Sequence, residues 1–176
     1  MKWIEVEKIP PKGLCIEREL SIDSSKLTEG RLNGNVEVKV RITKKGMKVN
    51  MQGSLKASIT LTCSRCLEEF TKELNGKFQI ELVPQETLGD KHEIVLEEKD
   101  LDVVFFKNGL IDFEQMIVDQ INLQIPMKPL CKEDCKGICP VCGANLNQKN
   151  CGHTVKVVDP RLAKLKLLLE VKNGST

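Results

Sequence analysis

At 176 residues and 40% apolar composition, the chain can bury one domain core or two small ones, which argues against an intrinsically disordered adaptor. No apolar run approaches the roughly eighteen residues of a membrane-spanning helix, and the opening MKWIEVEKIPPKG lacks the apolar centre of a secretory signal. A cytoplasmic protein without a membrane partner is therefore expected. The net charge of +2 is small but unevenly spread: residues 26–65 carry nine Lys or Arg against Glu29 and Glu37, and residues 81–114 carry ten acids against three lysines. Such polarity suits a protein that shows one charged face to a partner.

Taken in chain order, residues 36–63 predict three strands. Val36, Val38, Val40 and Ile42 alternate with Glu37, Lys39 and Arg41. Thr43–Gly46 supplies a turn, and Met47, Val49 and Met51 alternate with Lys48, Asn50 and Gln52. Gly53–Ser54 supplies a second turn before Leu55, Ala57, Ile59 and Leu61, a parity that Cys63 continues. A fourth strand is expected around Phe78, Ile80 and Leu82, with more strand material at 92–98 and 101–106. Asp112 caps a helix over 112–124, Gln115 completes a capping box, Ile111 can staple onto Met116, and Pro126 ends it. Asp159–Pro160 opens a terminal helix carrying Leu162, Leu165, Leu168 and Leu169.

The expected fold is α+β: a β-rich, mainly antiparallel sheet with a capped helix, a Cys-rich zinc-binding tail and a C-terminal helix. The boundary falls near Pro126–Pro129. It separates a β-rich body, residues 1–126, from a metal-binding tail over 127–176 that packs on the body.

Cysteine spacing carries the sharpest chemistry. Cys131, Cys135, Cys139, Cys142 and Cys151 crowd the tail with His153, and Cys63-Ser-Arg-Cys66 lies far upstream. In a reducing compartment, closely spaced cysteines bind metal more often than they form disulfides. Zinc takes four thiolate or imidazole ligands in a tetrahedron, and a Cys-x-x-Cys loop offers two from one turn. Eight candidate ligands match two such sites. The favoured pairing sets Cys139, Cys142, Cys151 and His153 apart from Cys63, Cys66, Cys131 and Cys135, the second set tying the tail to the sheet. A single site of Cys131, Cys135, Cys139 and Cys142 competes, with Cys63 and Cys66 left as a redox or buried thiol pair. Cys135-x3-Cys139-x2-Cys142 also matches the spacing of a radical-enzyme iron–sulfur motif, but only 34 residues follow it, too few for the barrel of such enzymes. Cys15 reads as a small buried hydrophobe, and His92 as a solvated histidine.

Enzymatic signals are sparse. Glu97, Glu98, Asp100 and Asp102 could hold magnesium for phosphoryl chemistry, yet a solvated charge run is the simpler reading. There is neither a phosphate loop nor a dinucleotide fingerprint. A fully Cys/His-ligated metal supports folding rather than catalysis. Lys39, Arg41, Lys48 and Lys56 would form a basic sheet face able to track RNA phosphates. With one Trp, five Phe and no Tyr, base stacking on single-stranded RNA is poorly provided for.

The pieces CSRCLEEF at 63–70, LQIPMKPLC, CKEDCKGICPVCGANLN and DPRLAKLKLL occur in an order that resembles the YceD family, the large ribosomal RNA subunit accumulation proteins of bacteria and plastids. The motif positions carried by the resemblance are Cys63, Arg65, Cys66, Cys131, Cys135, Cys139, Cys142, Gly143, Asn147, Asp159, Pro160 and Arg161. Arg65 joins the expected RNA-facing set. Where many relatives end the tail with Cys-x-Cys, this chain has Cys151-Gly-His153. The resemblance implies a non-enzymatic factor in 23S rRNA accumulation, maturation or ribosome assembly, with rRNA or the pre-ribosomal large subunit as partner. An adaptor that recruits a ribosomal protein or a processing nuclease is the alternative, and a magnesium-dependent nuclease is a third.

Overall fold

The computed structural model of the chain describes residues 2–88 and 103–153. The strand expected at 92–98, the start of the one at 101–106, the acids at 97–102, His92 and the terminal helix lie outside the described residues. By internal contacts the chain divides into two compact units, residues 1–64 with 68–133, and residues 65–67 with 134–176.

The first unit is built on a six-stranded sheet. Its strands are β2 (Leu14–Leu20), β3 (Arg31–Leu32), β4 (Val36–Lys45), β5 (Lys48–Thr62), β6 (Glu69–Pro84) and β7 (Val103–Phe106). They run in the order β2-β4-β5-β6-β7, with β3 also pairing β5. Every pairing in this sheet is antiparallel except β6 with β7, which is parallel. Two short strands, β1 (Trp3–Glu5) and β8 (Leu110–Asp112), pair separately.

Alternation produces this sheet for the reason the sequence suggests: residues two apart share a face. Val36, Val38, Val40 and Ile42 of β4 are buried, as are Val49, Met51, Leu55, Ala57, Ile59 and Leu61 of β5. The turn expected at Gly53–Ser54 does not form. β5 runs unbroken through both residues, because the inward parity Met51, Gly53, Leu55 is never interrupted. Glycine is required there by close approach. A Cβ at Gly53 would sit 2.5 Å from the Lys39 carbonyl oxygen and 2.8 Å from Val40.

The single α-helix among the described residues, α1 (Phe113–Gln124), supplies Phe113, Ile117, Val118 and Ile121 to the same core. Asp112 caps it by accepting the Gln115 backbone N–H at 3.0 Å. The reciprocal half of the expected capping box is absent, since the Gln115 side chain donates to Asp119 at 2.8 Å instead. Ile125, just before Pro126, leaves the helix in extended geometry, as a residue preceding proline does. The Arg18 guanidinium lies 5.3 Å from the Phe113 ring centre. Arg18 thus occupies an inward strand position through a cation–π contact.

Candidate metal centres

The long β5–β6 hairpin, fourteen facing pairs from Val49↔Leu82 to Thr62↔Glu69, is closed by the loop Cys63–Glu68. Cys63 extends the buried parity of β5 and is fully buried. Its backbone N–H donates to the Glu68 carbonyl at 2.9 Å, closing the loop over five residues. Cys139 closes the second Cys-x-x-Cys loop in the same way, donating to the Ala144 carbonyl at 2.8 Å. In each loop the residue after the second cysteine is left-handed: Leu67 has φ 61° and Gly143 has φ 70°. Glycine takes that conformation without strain, whereas leucine does so at a cost. The repeated backbone geometry could not be read from Cys63-Ser-Arg-Cys66, because Leu67 hides the turn that Gly143 advertises.

The structure gathers the eight candidate ligands into two groups. Cys139, Cys142, Cys151 and His153 place their ligand atoms within 4.8 Å of one another, and so do Cys63, Cys66, Cys131 and Cys135. This spatial grouping follows the favoured pairing rather than the single Cys131–Cys142 set. A tetrahedron with metal–sulfur bonds of about 2.3 Å separates its sulfurs by about 3.8 Å, so both donor sets fit zinc with small side-chain adjustment. All eight cysteines are unbridged. Cys63, Cys66 and Cys135 are buried, while Cys142 and His153 are exposed.

Electrostatics in the Cys139 loop favour a thiolate. Backbone N–H groups of Cys142 and Val141 point at the Cys139 sulfur and bring its pKa from 9.0 down to about 6. The Cys142 thiol moves the other way. The Ala144 N–H opposes that rise, but the neighbouring Cys139, partial desolvation and Cys151 outweigh it. Two adjacent thiolates repel, and a divalent cation is what lets both ionise. His153 Nδ1 lies 3.8 Å from the Cys139 sulfur.

Cys15, expected to be buried, is exposed. It stands on the outward parity of β2, directly opposite Arg41. Lys39, Arg41, Lys48 and Lys56 do share the outer face of the sheet, but so do acids that strand pairing brings beside them. Lys39 pairs with Glu17 of β2, and Lys48 with Glu81 of β6. Lys56 faces Glu37 across the β4–β5 ladder. The Glu17 carboxylate raises the Lys39 pKa. Arg41 and Lys77 have no ion pair among the described residues, and with Lys39, Glu17, Cys15 and Gly53 they line a shallow depression of about 410 Å³. Arg65 lies in the Cys63–Glu68 loop, where its guanidinium donates to the Cys135 carbonyl at 3.0 Å. No helix among the described residues is long and apolar enough to cross a membrane.

A β-rich, mainly antiparallel protein with one described helix and two Cys/His groups able to hold a metal is the class that fold and site define. Within it the chain belongs to the YceD family: residues 51–169 match the family described as Large ribosomal RNA subunit accumulation protein YceD. An uncharacterised protein of Mycobacterium tuberculosis is 32% identical over 131 residues, covering 74% of this chain and 59% of the relative. The chain thus spans about three fifths of the length of that relative. The chloroplastic Large ribosomal RNA subunit accumulation protein YCED homolog 1 of Arabidopsis thaliana is 28% identical over 138 residues, covering 66% of this chain and 43% of the homolog. The uncharacterised Bacillus subtilis protein YlbN is 27% identical over 184 aligned positions, covering 99% and 100% of the two chains. No solved structure matches the chain.

Proposed function

We propose that the chain is a non-enzymatic factor that supports accumulation of the large-subunit, 23S, ribosomal RNA, acting on rRNA or on the pre-ribosomal large subunit. Family membership carries this reading, since the plant relatives are named for that role. Two zinc ions, one per group of four ligands, would hold the cysteine-bearing loops. Bound zinc would act there as a closed cross-link with no open position for water, which supports folding and not turnover. Arg41 and Lys56, with Lys39 and Lys48, would approach the RNA backbone, and Arg65 would act from its loop.

Depleting the protein in its own organism tests the reading. Mature 23S rRNA should fall relative to 16S, and the intact gene should restore it. An unchanged ratio would overturn it. Elemental analysis of protein purified without added metal should find about two zinc per chain, and a metal-free product would overturn that part. RNA binding should weaken steeply with salt.

The acids interleaved on the sheet face favour a second reading, an adaptor that recruits a ribosomal protein or a processing nuclease without touching RNA. Salt-insensitive association with the pre-ribosomal particle, together with no binding to rRNA fragments, would select it.

A further inference from the structure

Asn147 is half-buried, and each polar atom of its side chain is engaged. Its Oδ1 accepts the Lys136 backbone N–H at 2.9 Å. Its Nδ2 carries two hydrogens, and the structure gives them two acceptors: Asn145 Oδ1 at 2.9 Å and the sulfur of Cys135 at 3.2 Å. The amide orientation is set by its surroundings, because the Lys136 N–H can only donate and so must face oxygen. The Asn147 backbone N–H also donates to Asn145 Oδ1 at 2.9 Å, which fixes the side chain from both ends.

The sulfur that receives this amide belongs to the enclosed ligand group, and the donor comes from twelve residues along the chain. Cys139 draws comparable donors from the backbone of its own loop, which truncating a side chain does not remove. Cys135 draws one from a side chain, which a substitution can remove. A hydrogen bond to a metal-bound thiolate orients its lone pairs and spreads its charge, and outer partners of this kind are worth 10–100-fold in metal affinity.

We infer that Asn147 is a positioning residue for a metal ion held by Cys63, Cys66, Cys131 and Cys135, acting through an N–H···S bond to Cys135. The inference rests on reading that group as a metal centre. Asn145 acts behind it as the acceptor that aims the amide.

Asn147→Asp keeps an oxygen for the Lys136 N–H but has no hydrogen for the sulfur at neutral pH, whereas Asn147→Ala removes both. With cobalt as the probe, wild-type protein should take up two equivalents with thiolate charge-transfer bands. In both variants one equivalent should bind about 10–100-fold more weakly, with its charge-transfer band displaced, and the other should be unchanged. An Asn147→Asp variant that binds both equivalents like wild type would overturn the inference; because aspartate also loses the bond to Asn145, a donor to sulfur is told from a brace of the loop by the next measurement. The unaltered protein gives an independent reading. Loaded with cadmium-113, it should show scalar coupling between the Asn147 side-chain amide protons and one of two cadmium resonances. Two resonances with no such coupling would refute the role of Asn147 while leaving the metal centres standing. A wild-type protein that takes up neither metal would overturn the metal reading and this inference together.

Discussion

Removing metal should release residues 134–153 while leaving the sheet folded. None of the residues that form the hydrophobic core cluster comes from 65–67 or 134–153. In that second unit Leu67, Ile138 and Val141 are exposed, and among the described residues the buried members of its apolar set are Cys66, Cys135 and Cys139. Ordering each residue costs about 1–2 kcal/mol of backbone entropy, and no large buried side chain is present to offset it. Structural zinc contributes on the order of 10–16 kcal/mol per site, comparable with the whole stability of an ordinary domain. Amide exchange with a chelator is the assay. The N–H groups of Lys136, Ile138, Cys139, Gly143 and Leu146 are the reporters, each with an identified acceptor. A loss of only about 4 kcal/mol would lower their protection roughly a thousandfold, while β4 and β5 amides should hardly change. If elemental analysis shows the metal gone and these five amides stay protected, the ligands are not what orders this unit.

Other outcomes can be checked separately. Gly53→Ala should destabilise the sheet by about 1–2 kcal/mol, the overpacking cost less the unfolded-state gain, seen as a lower urea midpoint with unchanged slope. Reversing Arg41 and Lys56 to Glu should weaken rRNA-fragment binding and flatten its salt dependence, whereas reversing Lys44 and Lys45 should do less. Equal effects from the two pairs would remove the case for a localised RNA face.

Strands with strict alternation were legible from sequence, and so was the Asp112 cap, since periodicity and capping are local. What failed was non-local. LCIEREL carries Arg18 on its inward parity, and the Phe113 ring that meets its guanidinium lies 95 positions away. Gly53 reads as a turn until the Lys39 carbonyl is known to pass beside it. The ion pairs that temper the cationic face depend on β2 lying next to β4, which no spacing within β4 could disclose. The cysteines were conspicuous as ligand types, but the likeness of their two loops lies in backbone hydrogen bonds and a left-handed Leu67.

The loop that carries Cys63 and Cys66 also decides how β5 lies against β6. Fourteen cross-strand pairs follow from where that loop closes, and a slip of β6 by a single position would turn Leu74, Ile80 and Leu82 outward together while β4 keeps β5 in place. A ligand gripping Cys63 and Cys66 therefore acts as a register clamp on the longest hairpin among the described residues. Adding or deleting one residue between them would be read out tens of ångströms away, at the Val49–Leu82 end, as a β6 strand facing the wrong way.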